Sequence, residues 1–161
     1  MINKLKEKMI VFYKGDLHRI EHFLKVWSYA HMIGETESLD EKTQSILELA
    51  AVVHDIAIPI CCEKYGDDSG PLQEKESEAL LIPFLEEFDL SADVEERIIA
   101  LVSHHHTYSP ILGIDHQILL EADFLVNAGE HKMNRSQVEN FRDKFAATET
   151  GKRLLKEIYL T

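Results

Sequence analysis

The sequence predicts an all-α fold, a single-domain helical bundle of about six to eight helices. Three observations predict it. Apolar residues recur at helical spacing along nearly the whole chain, and no two-residue alternation runs long enough to make a strand. Seven glycines and four prolines in 161 residues are few, so long elements with few breaks are expected. No internal repeat or low-complexity tract interrupts the pattern, and residues 1–161 have the size of one ordinary domain with a sizeable core.

Taken in order, Leu5, Met9 and Phe12 begin a first helix that Gly15-Asp16 interrupts. Asp16 is a good N-cap for the next helix, which carries His22, Val26, Ala30 and Ile33 on one stripe and runs to about Glu35. Asp40 can cap a third helix from Glu41 to about Ala57, where Pro59 stops it. Residues Cys61 to Pro71, with Gly66-Asp67-Asp68-Ser69-Gly70-Pro71, read as the one clear long loop. A helix from about Gln73 to Phe88 follows, kinked or split at Pro83. Ser91 caps the next, with Val94, Ile98, Leu101, Val102 and His105 on one face and Tyr108-Ser109-Pro110 at its end. Asp115 to Glu130 form another helix with Leu119, Leu120, Asp123 and Val126 inward, and Ser136 and Thr148 begin two short final helices.

Composition narrows the function classes. Hydrophobic residues at 45% and charged residues at 29% fit a globular chain. The net charge of −12 argues against a DNA, RNA or anionic-membrane surface, which relies on clustered Lys and Arg. It leaves room for a small anionic substrate, because a bound cation reverses the local field. No apolar run approaches the ~20 residues of a membrane span, and the mixed-charge start lacks a secretory pattern, so the cytoplasm is the expected compartment. Adjacent Cys61 and Cys62 are expected as reduced thiols, since a vicinal disulfide would be strained.

The chemistry lies in the histidines and their carboxylate neighbours. His54-Asp55 ends the apolar run Leu47-Glu48-Leu49-Ala50-Ala51-Val52-Val53, where a charge is costly unless it is paired or metal-bound. His22 lies on the apolar stripe of its own helix, and Asp123 sits among Leu119, Leu120, Phe124 and Val126. Three helices thus each present a ligand-type group on an inward face. Imidazole and carboxylate donors suit zinc, manganese, iron, cobalt or nickel, and facing helices of a bundle commonly hold such ions. The bland alternatives are a satisfied helix histidine for His22, a partnered ring and a capping carboxylate for His54 and Asp55, and an arginine pair for Asp123.

The order His22, then His54-Asp55, then Asp123 resembles the HD-domain superfamily of metal-dependent phosphohydrolases. Asp16-Leu17-His18-Arg19-Ile20-Glu21-His22 looks like the opening helix of that family, and Ala51-Val52-Val53-His54-Asp55-Ile56 like its central motif. Val102-Ser103-His104-His105-His106 resembles the later histidine-bearing helix, and Glu121-Ala122-Asp123-Phe124-Leu125 the closing segment. The resemblance covers roughly residues 16 to 130, with helices of residues 131–161 expected to pack on that core. It implies an HD-type bundle in which His22, His54, Asp55 and Asp123 hold a divalent ion (Mn, Fe, Co, Ni, Zn or Mg). It also implies hydrolysis of a phosphomonoester or phosphoanhydride of a small molecule, a nucleotide by analogy, through a metal-bound hydroxide. In that reading Asp55 is both ligand and catalytic residue, and His104 or His105 stabilises the transition state or protonates the leaving oxygen.

Some members with two metals use histidines from this later helix, and His106 reads as facing water. Leu72-Gln73-Glu74-Lys75-Glu76-Ser77-Glu78 lacks the histidine those members usually place there, which favours one metal unless Glu74 or Glu78 substitutes. Arg19 is a candidate phosphate clamp or a partner of Glu21 or Asp16. Lys75 and Lys64 are candidate substrate contacts or solvated surface, His18 a rim residue, and His31 structural. A non-catalytic metal or nucleotide sensor is the alternative function, and the oligomeric state is open, a homodimer included.

Overall fold

Helix-start residues set the frame of the molecule. The computed structural model describes residues 1–161. Its elements are α1 (Ile2–Phe12), α2 (Leu17–Thr36), α3 (Glu41–Val53), α4 (Ile58–Tyr65), α5 (Gly70–Leu85), a 3-10 turn (Glu86–Phe88), α6 (Ala92–Val102), α7 (Ile114–Glu130), α8 (Arg135–Lys144) and α9 (Glu149–Tyr159), with no strand. Asp16 accepts from the Arg19 amide at 3.1 Å. Asp40 accepts from the Lys42 and Thr43 amides, each at 3.1 Å. Such caps are worth about 1 kcal/mol each.

Helix α3 is the central element. Ile46, Leu47 and the run Leu49 to Val53 are all buried, as befits a helix covered on every side. Helices α1, α2, α6 and α7 pack around it, and α2 lies against α3 and α7 at once. The stretch Glu41–Tyr65 has the length and composition of a membrane span, yet 67% of its apolar window is buried inside the protein. Buried Glu121 of α7 ties in the C-terminal helices. It accepts from Gln117 Nε2 at 2.6 Å, the Ala147 amide at 2.7 Å, the Thr148 amide at 3.0 Å, and the Thr148 hydroxyl.

Several expected boundaries move. The loop expected over Cys61 to Pro71 shrinks to Gly66–Ser69, because Ile58–Tyr65 is helical and α5 begins at Gly70. Pro59 starts α4 rather than merely stopping α3, since proline in a first turn lacks only an amide that has no helical partner anyway. Helix α5 runs unbroken through Pro83. Helix α8 starts from Asn134, not Ser136. Asn134 Oδ1 accepts from the Gln137 amide at 3.0 Å, and Gln137 Oε1 accepts from the Asn134 amide at 2.9 Å, a reciprocal cap. Cys61 and Cys62 are unpaired, the first buried and the second exposed.

Candidate metal centre

The local sequence around His54 explains how a charged pair ends up at the base of a bundle. Helix α3 stops at Val53, and His54 keeps helical angles while the chain turns toward α4. The Ile56 amide donates to Val53 O and the Ile58 amide to Asp55 O, both at 3.0 Å. Because α2 packs against both α3 and α7, His22 and Asp123 arrive at the same place from either side.

Four donor atoms meet there. His22 Nε2 is 3.3 Å from His54 Nε2, 3.3 Å from Asp55 Oδ2 and 3.2 Å from Asp123 Oδ1. His54 Nε2 is 3.4 Å from Asp55 Oδ2 and 3.5 Å from Asp123 Oδ1. The other ring nitrogens are already committed. His54 Nδ1 donates to Ala51 O at 2.8 Å, and His22 Nδ1 donates to Glu130 Oε2 at 2.8 Å. Each neutral ring therefore turns a bare Nε2 lone pair toward its neighbour and toward two carboxylates. Negative ends packed this closely, out of water, require a proton or a cation between them. Metal bonds of about 2.1 Å place adjacent donors about 3 Å apart, so the set fits a divalent ion with little movement.

The electrostatics of the ion-free cluster follow from the same crowding. Burial pushes the His54 imidazole down, but Asp55 and Asp123 outweigh it and hold the ring well above the usual histidine range. His22 is opposed by burial in the same way and is raised, chiefly by its bond to Asp123. Burial acts upward on the Asp55 and Asp123 carboxyls, and their imidazole partners bring both well below the usual carboxylate range. Protons on the imidazoles are thus favoured by the two carboxylates, and a cation bound there would compete with them.

A second donor set shares Asp55. Its Oδ1 lies 3.5 Å from His105 Nε2, and Asp55, His105 and His106 offer ligand atoms all within 4.8 Å of one another. His105 Nδ1 donates to Val102 O at 2.6 Å, so its Nε2 is a bare acceptor. That atom and His106 Nε2 are buried with no hydrogen-bond partner. Burial, then the neighbouring His105, lowers His106 to about 4, so it is neutral at pH 7. The expectation that His106 faces water is corrected. Helix α6 ends at Val102, and the turn after it carries the ring inward against Gly70, where a Cβ would come within 2.7 Å of His106 Cγ. His104 is corrected in the other direction. It is exposed, and its Nδ1 donates to Ala100 O at 2.8 Å, so it does not join the cluster.

Comparison with known proteins places the chain in a family. The family model described as the HD domain matches residues 19–145. This chain belongs to the HD-domain family. No functionally curated protein matches it. A solved structure described as a predicted HD superfamily hydrolase, from an uncultured Thermotogales bacterium, is 20% identical with a TM-score of 0.67, covering 96% of this chain and 83% of its own. The Lin1889 protein of Listeria innocua is 20% identical with a TM-score of 0.59, over 98% of this chain and 88% of its own. The YpgQ protein of Bacillus subtilis is 20% identical with a TM-score of 0.59, over 97% and 87%. At that identity the likeness speaks for the fold.

The HD centre opens into a cleft with two unlike halves. One, of about 380 Å³, is lined by Ile58, Tyr108, Phe124 and Met133 together with Asp55, Asp123 and His106. The other, of about 300 Å³, holds His18, Arg19, His22, Glu130 and Asp55, with Ile58 its single apolar residue. Arg19 lies beside the centre, its Nε on Asp16 Oδ2 at 3.0 Å. Lys75 lines neither half. It is exposed, 3.4 Å from the Tyr65 hydroxyl, and its placement as a substrate contact is corrected because that face of α5 turns away from the cleft. Lys64 pairs with Glu76 at 2.6 Å, and His31 with Glu48 at 2.9 Å.

Sequence reasoning missed several members of the HD site. Glu130, which orients His22, and Asn127, whose Nδ2 donates to Asp123 Oδ1 at 2.9 Å, lie two turns and one turn beyond Asp123. That spacing was the available signal. Glu74 does not replace the absent histidine of α5. Its Oε1 accepts from the His106 amide at 3.1 Å and the Thr107 hydroxyl at 2.9 Å, and Glu78 is exposed. Buried Gln73 and Ser77 face inward from α5 instead.

Proposed function

We propose that this protein is a metal-dependent phosphohydrolase, cleaving a phosphomonoester or phosphoanhydride of a small phosphorylated molecule, a nucleotide. The observation that supports this best is the convergence of His22, His54, Asp55 and Asp123 to within 3.2–3.5 Å at the floor of an open cleft. Those four residues would hold the cation, and the description of the Thermotogales neighbour as a predicted HD superfamily hydrolase points the same way. A bound divalent cation acidifies water toward a pKa of about 7 and offsets charge on a phosphoryl oxygen.

The chain's own groups then do the orienting. Arg19, held by Asp16, lines the polar half of the cleft and offers a guanidinium whose fork matches phosphate oxygens in pairs. His105, rather than His104, is the histidine that faces Asp55, and its Nε2 would meet charge developing on the phosphoryl group only when it carries a proton. The half of the cleft bearing Tyr108, Phe124 and Met133 offers aromatic and apolar side chains among its polar lining against which a nucleobase could pack. Asp55, His105 and His106 form a smaller donor set for a second cation.

Phosphate release measured across nucleotides and sugar phosphates, with Mn, Co, Ni and Mg, tests this reading. Metal-dependent release from at least one nucleotide is the expected result. Tight metal and nucleotide binding with no release from any of them would establish the sensor alternative. A protein that takes up no divalent ion would overturn both.

A further inference from the structure

We propose that Tyr13 is a positioning residue for the metal centre: its buried hydroxyl, carried by the N-terminal helix, fixes the backbone of Asp55 and so aims the carboxylate that the two donor sets share. The proposal rests on the metal-centre reading. Tyr13 follows α1 directly and is 4% exposed. Its hydroxyl donates to Asp55 O at 2.7 Å, joining positions 42 residues apart. That carbonyl already accepts from the Ile58 amide at 3.0 Å, which is enough to close the turn after α3. The second donor comes from outside the turn, and it adds a fixed point that the turn itself lacks.

The side chain of Asp55 shows why such a point matters. One oxygen faces His22 and His54 at 3.3 and 3.4 Å, the other faces His105 at 3.5 Å. A small rotation of this residue about its backbone would improve one set at the expense of the other. The ring of Tyr13 has little freedom to follow, being edge-on to Phe12 at 5.1 Å and stacked on Phe23 at 6.3 Å, while Leu5 and Met9 seat α1 in the core. A phenylalanine would fill the same space. The hydroxyl is thus not required for packing, and burying it without a partner would be costly. Helix α1 and Tyr13 also precede the residues matched by the family model, which begin at Arg19. This chain therefore braces its HD turn with a segment outside that match.

The test is Co(II) binding to the full chain, read by its visible absorption, in the wild type, Tyr13→Phe and Phe12→Leu. Groups that orient ligands without touching the metal typically cost 10–100-fold in affinity when removed, so about a tenfold or greater loss is expected for Tyr13→Phe, with an altered spectrum. Phe12→Leu loosens the same aromatic contact without touching the hydroxyl, and should lower the melting temperature while leaving affinity and spectrum unchanged. Tyr13→Phe with affinity within about twofold of wild type and a superimposable spectrum overturns the proposal. An equal loss in Phe12→Leu also overturns it, since packing would then explain the effect. Failure of the wild type to bind Co(II) overturns the metal-centre reading itself, a result distinct from either of these.

Discussion

The turns that end α3 and α6 use the same local device with different outcomes. In each, a histidine just past the helix donates from Nδ1 to a carbonyl three residues back, His54 to Ala51 and His105 to Val102. In each, Nε2 is left facing the cluster. The α3 turn is completed by groups from two other long helices, His22 and Asp123, and is braced by Tyr13. The α6 turn meets α5, which presents Gln73 and Ser77 instead of an imidazole, and is held through its backbone by Glu74 and by His116 Nε2 on His104 O at 2.8 Å. A helix end can aim one ligand by itself. A complete site depends on what the neighbouring helices bring.

Asp55 serves both donor sets, so its removal has the largest expected effect. Asp55→Ala should abolish cation binding and lower phosphate release by at least about 10²–10³-fold, the size seen when one charge-stabilising group is lost. Metal analysis together with turnover checks this, and full turnover by a metal-free Asp55→Ala protein would sink the mechanism. Next come the two adjacent histidines of the α6 turn. His105→Ala should reduce release by about 10–100-fold. His104→Ala should stay within about twofold, as for a surface change. Equal effects would erase the distinction between the inward and outward ring.

The pH dependence probes the α3 turn. Without its ion, His54 and His22 titrate above the usual value of about 6.5, so a cation must displace protons to bind. Its affinity should rise with pH by up to about tenfold per unit for each proton displaced. Stability of the ion-free protein has the opposite sign. A folded pKa above the unfolded one gives stabilisation that is complete below about 6.5 and lost as pH rises through the folded value. The melting temperature in chelator should therefore fall as pH rises above about 6.5, and Mn should remove the fall. A flat profile in chelator would contradict the protonated cluster. The smallest contrast lies at the rim. Arg19→Gln should raise KM by about tenfold with kcat less affected, while Lys75→Ala changes neither by more than about twofold.

Much of this was legible in the chain. Helical spacing gave the fold class, and the cap residues Asp16, Asp40 and Thr148 marked three helix starts. His22, His54 and Asp123 stood out because a ligand-type residue on an apolar stripe has few inexpensive explanations. His104 and His106 could not be ranked that way. Their directions depend on where α6 ends, and Val102 is its last residue for reasons that no periodicity reveals. Lys75 was misplaced for the same kind of reason, since the facing of α5 is set by its packing on α4 and α6.

The sequence by itself determined the all-α class and most of its helices, the residue types of the candidate metal centre and the family to which the chain belongs, because these follow from local spacing, from the cost of burying charge and from the order of the motifs. Only the tertiary structure decided that His106 turns inward with His105 while His104 does not, that Glu130 orients His22, that Gln73 and Ser77 face inward from α5, and that Tyr13 reaches Asp55. Each of these is a contact between elements distant along the chain, fixed by how the helices pack rather than by what any one of them contains.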